Sequence, residues 1–274
     1  FALIGISVLT TYQHHFFDIP TGLWAGWFCV WLFSDNAKPV SANAHITHDS
    51  RRLQLAARYF AGALAVAAIA LVSGGWALWL LWVAGALLLV SLIYACLDVT
   101  AFQKGADGAL STASCWLLAP YLLGAWLSSR WWTRHTDAAS AITPEVWVGR
   151  LPDNAADLPP GVVTVIDLCA ELPCPAPPDA YIAAPVLDLI ALTTEQLEHA
   201  ARTINRAVAA GPVLVCCALG YSRSAAAVAA WLITSGRAAN ARDAVARIRL
   251  VRRQIVLGDA QCLSLDALAR ARYS

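Results

Sequence analysis

The run Val213-Leu214-Val215-Cys216-Cys217-Ala218-Leu219-Gly220-Tyr221-Ser222-Arg223-Ser224 decides how this chain is read. An apolar, β-branched stretch ends in two cysteines and a glycine permits a tight turn. The alanine-rich segment that follows, to about residue 233, reads as a helix. A loop closing onto a helix N-terminus turns successive backbone N–H groups inward, and the helix dipole adds partial positive charge, so a phosphoryl dianion fits there. Cys217 opens the loop and Arg223 closes it, at C-x5-R spacing. The same field favours a thiolate at Cys217. Arg223 offers a planar fork for two phosphoryl oxygens, which lysine could not copy. Spacing alone would favour a buried cysteine and an exposed arginine at a helix start; the strand, glycine, Ser-Arg-Ser and helix in register favour the phosphate loop instead.

Outward from the loop, the chain splits into two chemically different halves. Residues 1–130 hold six basic and five acidic side chains, whereas residues 131–274 hold 13 of each. Between Arg58 and Lys104 the only charge is Asp98, which leaves room for two membrane spans of ~20 residues each, hinged at Gly74-Gly75. Residues 109–129 form another uncharged stretch and 19–34 a shorter one. Ten of the twelve tryptophans precede residue 133, and Trp76, Trp131 and Trp132 sit where interfacial anchors belong. The expected plan is a multi-span α-helical membrane region followed by an α/β domain with a central, largely parallel sheet. Its boundaries fall at 1–34, a polar loop at 35–58, three spans over 59–130, a linker at 131–141 and a catalytic domain at 142–274. Methionine is absent, even at position 1, so the chain reads as a fragment that opens in the tail of an earlier span. Net charge is +1, which gives no support to nucleic-acid binding. The eight cysteines show neither zinc spacing nor a disulfide framework.

Within the second half, residues 147–150 read as a strand and turn, and 162–166 as a β-branched strand. The proline-rich residues 171–179 read as loop, and Val186-Leu187 as a short strand running into Asp188. Thr193 and Gln196 form a capping-box pattern for a helix that Gly211-Pro212 stops. Two more helices are predicted over 241–253 and 259–271. Strands alternating with helices argue one α/β domain.

Residues 142–274 resemble the dual-specificity branch of the cysteine-dependent tyrosine phosphatases. Residues 142–152, Ile166-Asp167-Leu168 with Ala170-Glu171-Leu172-Pro173, 185–188, and 217–224 fall in that family's order. The resemblance implies that thiolate Cys217 attacks phosphorus and that Arg223 holds the transferring group. It further implies that Asp188 protonates the leaving oxygen and that Ser224 assists hydrolysis of a cysteinyl-phosphate intermediate, with no metal or other cofactor. Ala218, Leu219, Gly220, Tyr221, Ser222 and Arg223 would then form the phosphate-binding loop. Independently of family, an alkoxide or phenolate needs a proton, and a carboxylic acid upstream is a suitable donor. Asp167 and Asp179 compete for that role, but Asp167 sits in strand context and Asp179 in the proline loop, which favours Asp188. Cys216 stands where the family usually has histidine, which helps to order the loop; a buried strand residue is the favoured reading of Cys216 over a redox partner. Apart from Arg223 the loop adds no charge, so a simple phosphomonoester, on protein or lipid, is the expected substrate.

The first half carries a second resemblance. Thr11 to Gly22 places His14 four residues before Asp18, similar to the third motif of the type 2 phosphatidic acid phosphatase superfamily, in which a histidine attacks phosphorus and an aspartate orients it. Ser7 fits that motif, Val8 replaces its arginine, and the superfamily's first two motifs are absent, so His14 and Asp18 read as a remnant site. An interfacial pair anchoring a span remains the alternative. Together the resemblances point to a bacterial inner-membrane protein, multi-pass and in contact with membrane lipids. Lys38, Arg51, Arg52 and Arg58 mark the 34–58 loop as cytoplasmic, which with three spans puts the domain outside. Arg130, Arg134 and the reducing environment a thiolate prefers argue the opposite, and the side stays open. So do three further readings: a catalytically impaired phosphate-binding or scaffold module, a lipid-phosphate phosphatase acting at His14 and Asp18, and an arsenate reductase or small tyrosine phosphatase, whose loop usually follows the first strand.

Overall fold

The side chain of Asp49 accepts the backbone N–H groups of Arg51 and Arg52, 2.8 and 3.4 Å away, and so starts the first long helix among the described residues. A computed structural model describes residues 18–34, 40, 44–175 and 180–273. They cluster into two units, one of residues up to 103 with 111–121, the other of residues 104–110 with those from 122 onward.

In the first unit, helix α1 (Asp18–Leu32) precedes α2 (Ser50–Ser73), and a composite helix over Gly75–Leu97 contains the regular stretch α3 (Leu80–Leu92). Gly74 and Gly75, at φ of +60° and +53°, make the hinge that the sequence places there. The helices on either side, 24 and 23 residues long, are the two among the described residues long and apolar enough to cross a membrane; at 1.5 Å per residue each exceeds a ~30 Å hydrocarbon core. Two expectations are corrected. The polar loop does not extend to residue 58, because the Asp49 cap starts α2 at Ser50 and puts Arg51, Arg52 and Arg58 on the helix. Arg52 bonds the carbonyls of Tyr94 and Ile93, 3.0 and 3.3 Å away, where a π turn ends the composite helix. The uncharged residues 109–129 are not one span: they divide at Leu118 into α4 (Thr112–Leu117) and α5 (Ala119–Thr133). Pro120, in the first turn of α5, cannot continue the preceding helix.

The second unit is built on a five-stranded mixed sheet. Its strands are β1 (Ala139–Ala141), β2 (Val146–Arg150), β3 (Thr164–Cys169), β4 (Ala180–Val186) and β5 (Val213–Cys217), in the order β1-β2-β5-β3-β4. Only β1 runs antiparallel to its neighbour. Helix α6 (Thr194–Val208) has the capping box read from Thr193 and Gln196. It packs with α7 (Arg223–Thr234), α8 (Ala241–Val251) and α9 (Asp259–Tyr273) on one side of the core. Ala225 to Ala230, with Val228 among them, are fully buried, because small side chains let α7 lie close to both the sheet and its neighbouring helices.

The other sheet face is covered differently. Cys169, Cys174, Leu214 and Cys216 form a small cluster there, and behind them lies a sealed polar network. Lys104 pairs with Asp167 and donates to the carbonyls of Cys169 and Leu172, both at 2.7 Å. Asp167 also accepts Tyr181 Oη at 2.6 Å and Cys169 N–H at 2.7 Å. Burial opposes charge on Lys104, but Asp167 outweighs it and holds the ammonium's pKa above its usual value. Gly108 passes so close that a side chain there would meet Tyr181 at 2.9 Å. The second unit thus reaches back well before residue 142.

Candidate active site

Strand β5 delivers Cys217 to the base of a loop over residues 218–222, which turns directly into α7. Gly220 makes the turn possible: its φ is +73°, and a Cβ there would lie 2.3 Å from the carbonyl carbon of Gly149. The loop closes when Ala226 N–H bonds Ser222 O at 2.8 Å, which leaves the N-terminus of α7 facing the loop. Cys217 is buried, and its Sγ lies 3.4 Å from Ser224 Oγ. Among the described residues no acceptor takes the backbone N–H of Leu219, Gly220 or Tyr221. Three adjacent donors without a protein partner beside a helix N-terminus form an oxyanion cradle.

Arg223 closes the cradle and is itself held in a fork. Its Nη1 and Nη2 donate to the two oxygens of Glu171 at 2.9 and 2.6 Å, and Nη1 also reaches the carbonyl of Val186 at 2.8 Å. Nη2 lies 3.0 Å from Asp188 Oδ1. Burial works against the charge on Glu171, but Arg223 outweighs it, so the carboxyl stays below the ordinary glutamate range. Asp188 behaves oppositely: burial, helped by Glu171 and opposed by Arg223, raises its carboxyl above the ordinary aspartate range. A carboxyl pushed up beside an arginine and facing solvent is suited to hold and release a proton.

The outer side of the loop is held by Arg252, which is 2 % exposed. Its Nε donates to Gly220 O at 2.9 Å and its Nη2 to Leu219 O at 3.3 Å, while the guanidinium lies 5.4 Å from the Tyr221 ring. Arg150, at the end of β2, is engaged by Asp157 at 2.9 Å and Asp153 at 3.3 Å.

The structure brings Cys217, Arg223, Asp188 and Ser224 together around this cradle, with Ala218, Leu219, Gly220, Tyr221 and Ser222 as its rim. Asp167, a competitor for the acid role, is wholly buried against Lys104 and Tyr181 on the other sheet face. Asp179 lies outside the described residues, as do His14 and Ser7. Asp18 is the first residue of α1, exposed, in the first unit. Cys216 is a fully buried strand residue paired in register with Asp167, and burial pushes its thiol well up. Sequence reasoning assigned no role to Glu171 or Arg252. A signal existed for Glu171, since a buried arginine needs a carboxylate and Glu171 stands in the stretch Ala170-Glu171-Leu172-Pro173; Arg252 is indistinguishable in sequence from Arg253 beside it.

Residues 162–270 match the family described as dual specificity phosphatase, catalytic domain. No curated protein matches the chain. Among solved structures, the chain is similar to human DUSP28, with 22% identity over 51% of this chain and 97% of that one and a TM-score of 0.45. It is also similar to PTPMT1 in complex with PI(5)P, with 19% identity over 50% of this chain and 97% of that one and a TM-score of 0.41. The family match spans β3, β4, β5, α6, α7, α8 and most of α9, and marks residues 162–270 as a phosphatase domain of the dual-specificity type.

Proposed function

We propose that this chain is a membrane-anchored phosphatase that hydrolyses phosphomonoesters through a cysteinyl-phosphate intermediate. The observation that carries this reading is the loop of three unpaired backbone N–H groups rising from a buried cysteine, with an arginine and a raised carboxyl at its mouth. In the first step the Cys217 thiolate attacks phosphorus, forming the S–P bond as the P–O bond to the leaving group breaks. Protonated Asp188 gives its proton to the departing oxygen. Arg223, kept planar and oriented by Glu171, and the loop N–H groups hold the equatorial oxygens whose charge grows at the transition state. In the second step water attacks phosphorus and gives a proton to the Asp188 carboxylate. The S–P bond breaks, inorganic phosphate forms and Ser224, 3.4 Å from Sγ, donates a hydrogen bond to the returning thiolate.

Anchoring rests on the two long apolar helices of the first unit; labelling of an engineered tag from each side of the membrane assigns the face on which the domain lies. The neutral rim of the loop favours a substrate with one phosphoryl group, since Arg150 and Arg252 are engaged within the protein. The test is hydrolysis of an aryl phosphate by the full chain in detergent micelles, inhibited by vanadate. Turnover that survives Cys217→Ser sinks the nucleophile assignment. Rates on a phosphotyrosine peptide and on phosphatidic acid in mixed micelles then separate protein from lipid substrates.

A further inference from the structure

The helix that leads into the domain touches the phosphate loop directly. Ser129, on α5, is 2 % exposed, and its Oγ donates to the carbonyl of Ala218 at 2.7 Å. Further along the same segment, Trp132 O accepts Tyr221 Oη at 3.2 Å, and Thr136 Oγ1 lies 3.2 Å from that hydroxyl. With Arg252 on Leu219 O and Gly220 O, three consecutive loop carbonyls each have a side-chain donor, all outside the loop. The peptide bonds are trans, so in each planar unit the carbonyl and the next residue's N–H point opposite ways. Fixing the carbonyls of Ala218, Leu219 and Gly220 therefore turns the N–H groups of Leu219, Gly220 and Tyr221 to the other side. Those are the three N–H groups that no acceptor takes.

We infer that Ser129 is a positioning residue for the phosphate loop, so that α5, outside the matched family region, forms part of the oxyanion site. Without the Ser129 hydroxyl the buried Ala218 carbonyl has lost its donor, and the first peptide of the loop is free to rotate. Rotation withdraws the Leu219 N–H from the bound oxyanion and turns a carbonyl oxygen toward it. A serine that merely satisfied a buried carbonyl would affect stability and leave anion affinity alone.

The inference rests on reading the loop as a phosphate site, and the experiment separates the two. Tungstate affinity, aryl phosphate turnover and Tm are measured on the full chain in detergent for wild type, Ser129→Ala, Ser129→Cys and Thr133→Val. Thr133 Oγ1 bonds Ser129 O at 2.8 Å within the same helix and touches no loop atom in any hydrogen bond described, so Thr133→Val controls for damage to α5. Ser129→Ala is expected to weaken tungstate about five- to tenfold, the loss of one hydrogen bond to the site, and to lower kcat/KM to the same extent. Ser129→Cys keeps the volume with a weaker donor, falls between, and carries the test if the alanine variant does not fold. Thr133→Val lowers Tm with tungstate affinity within twofold of wild type. Ser129 variants within twofold of wild type in affinity, or no worse than Thr133→Val, overturn the inference while the site stands. A wild-type chain that neither binds tungstate nor turns over overturns the phosphate site and the role of Ser129 with it.

Discussion

The two faces of strand β5 treat adjacent cysteines in opposite ways. Cys217 faces the core that holds α6 and α7, at the start of the loop, whereas Cys216 faces the cluster of Cys169, Cys174 and Leu214. Each face also has its own buried cation–carboxylate pair. Lys104 and Asp167 are 2 % and 0 % exposed, and their further hydrogen bonds run to Tyr181 and to the backbone. Arg223 and Glu171 are buried as deeply, but Arg223 has Asp188 beside it, 35 % exposed at the side chain. A sealed pair fixes structure, and a pair that opens onto a solvent-facing carboxyl can take part in chemistry. Both are composed of ordinary residue types; access to solvent separates them.

Replacing the two cysteines in turn is the sharpest way to break this contrast. Cys217→Ser should lower turnover by at least about 10³-fold, whereas Cys216→Ala should leave turnover within severalfold; comparable losses would show that the two faces are not functionally distinct. Next in size is Asp188→Asn, which removes the acid and should lower kcat by about 10²–10⁴-fold, most for poor leaving groups. The pH dependence has a defined sign. In the proposed mechanism the proton Asp188 donates is lost as pH rises through its pKa, which burial raises, so the alkaline limb of wild-type kcat should lie above the ordinary aspartate range and vanish in Asp188→Asn.

Smaller effects on turnover, but large ones on stability, are expected at the pairs. Lys104→Met strands the Asp167 carboxylate and should cost about 3–5 kcal/mol of stability in denaturant unfolding; the double change Lys104→Met with Asp167→Leu should recover much of it. Glu171→Gln leaves Arg223 underpaired and should both lower Tm and raise KM. The Glu171 carboxyl is held below its unfolded value, so its contribution is present at neutral pH and is lost as pH falls through the folded pKa. Acid should therefore destabilise wild type more than Glu171→Gln, as read from Tm between neutral pH and pH below the ordinary glutamate range.

Local patterns carried much of this into the sequence. Thr193 and Gln196 announced α6, Gly74-Gly75 the helix hinge, and Val213 to Ser224 the strand, loop and helix, because capping, positive φ and a short, wholly buried apolar run act over a few residues. Arg51 and Arg52 misled, since basic side chains look like a polar loop until an aspartate caps the helix they open. Residues 109–129 misled through composition: lack of charge says nothing of a break at Leu118 before a proline.

By itself the sequence determined the strand, the loop and the helix, with Cys217 at one end of the loop and Arg223 at the other, because their order along the chain is their order in space. Only the tertiary structure decided that Glu171 holds Arg223 and that Lys104 and Ser129 reach the domain from earlier segments. These partners are separated by tens of residues. What joins them is the requirement that each buried charge and carbonyl find a counterpart once water has gone, a requirement that acts only when the chain has folded.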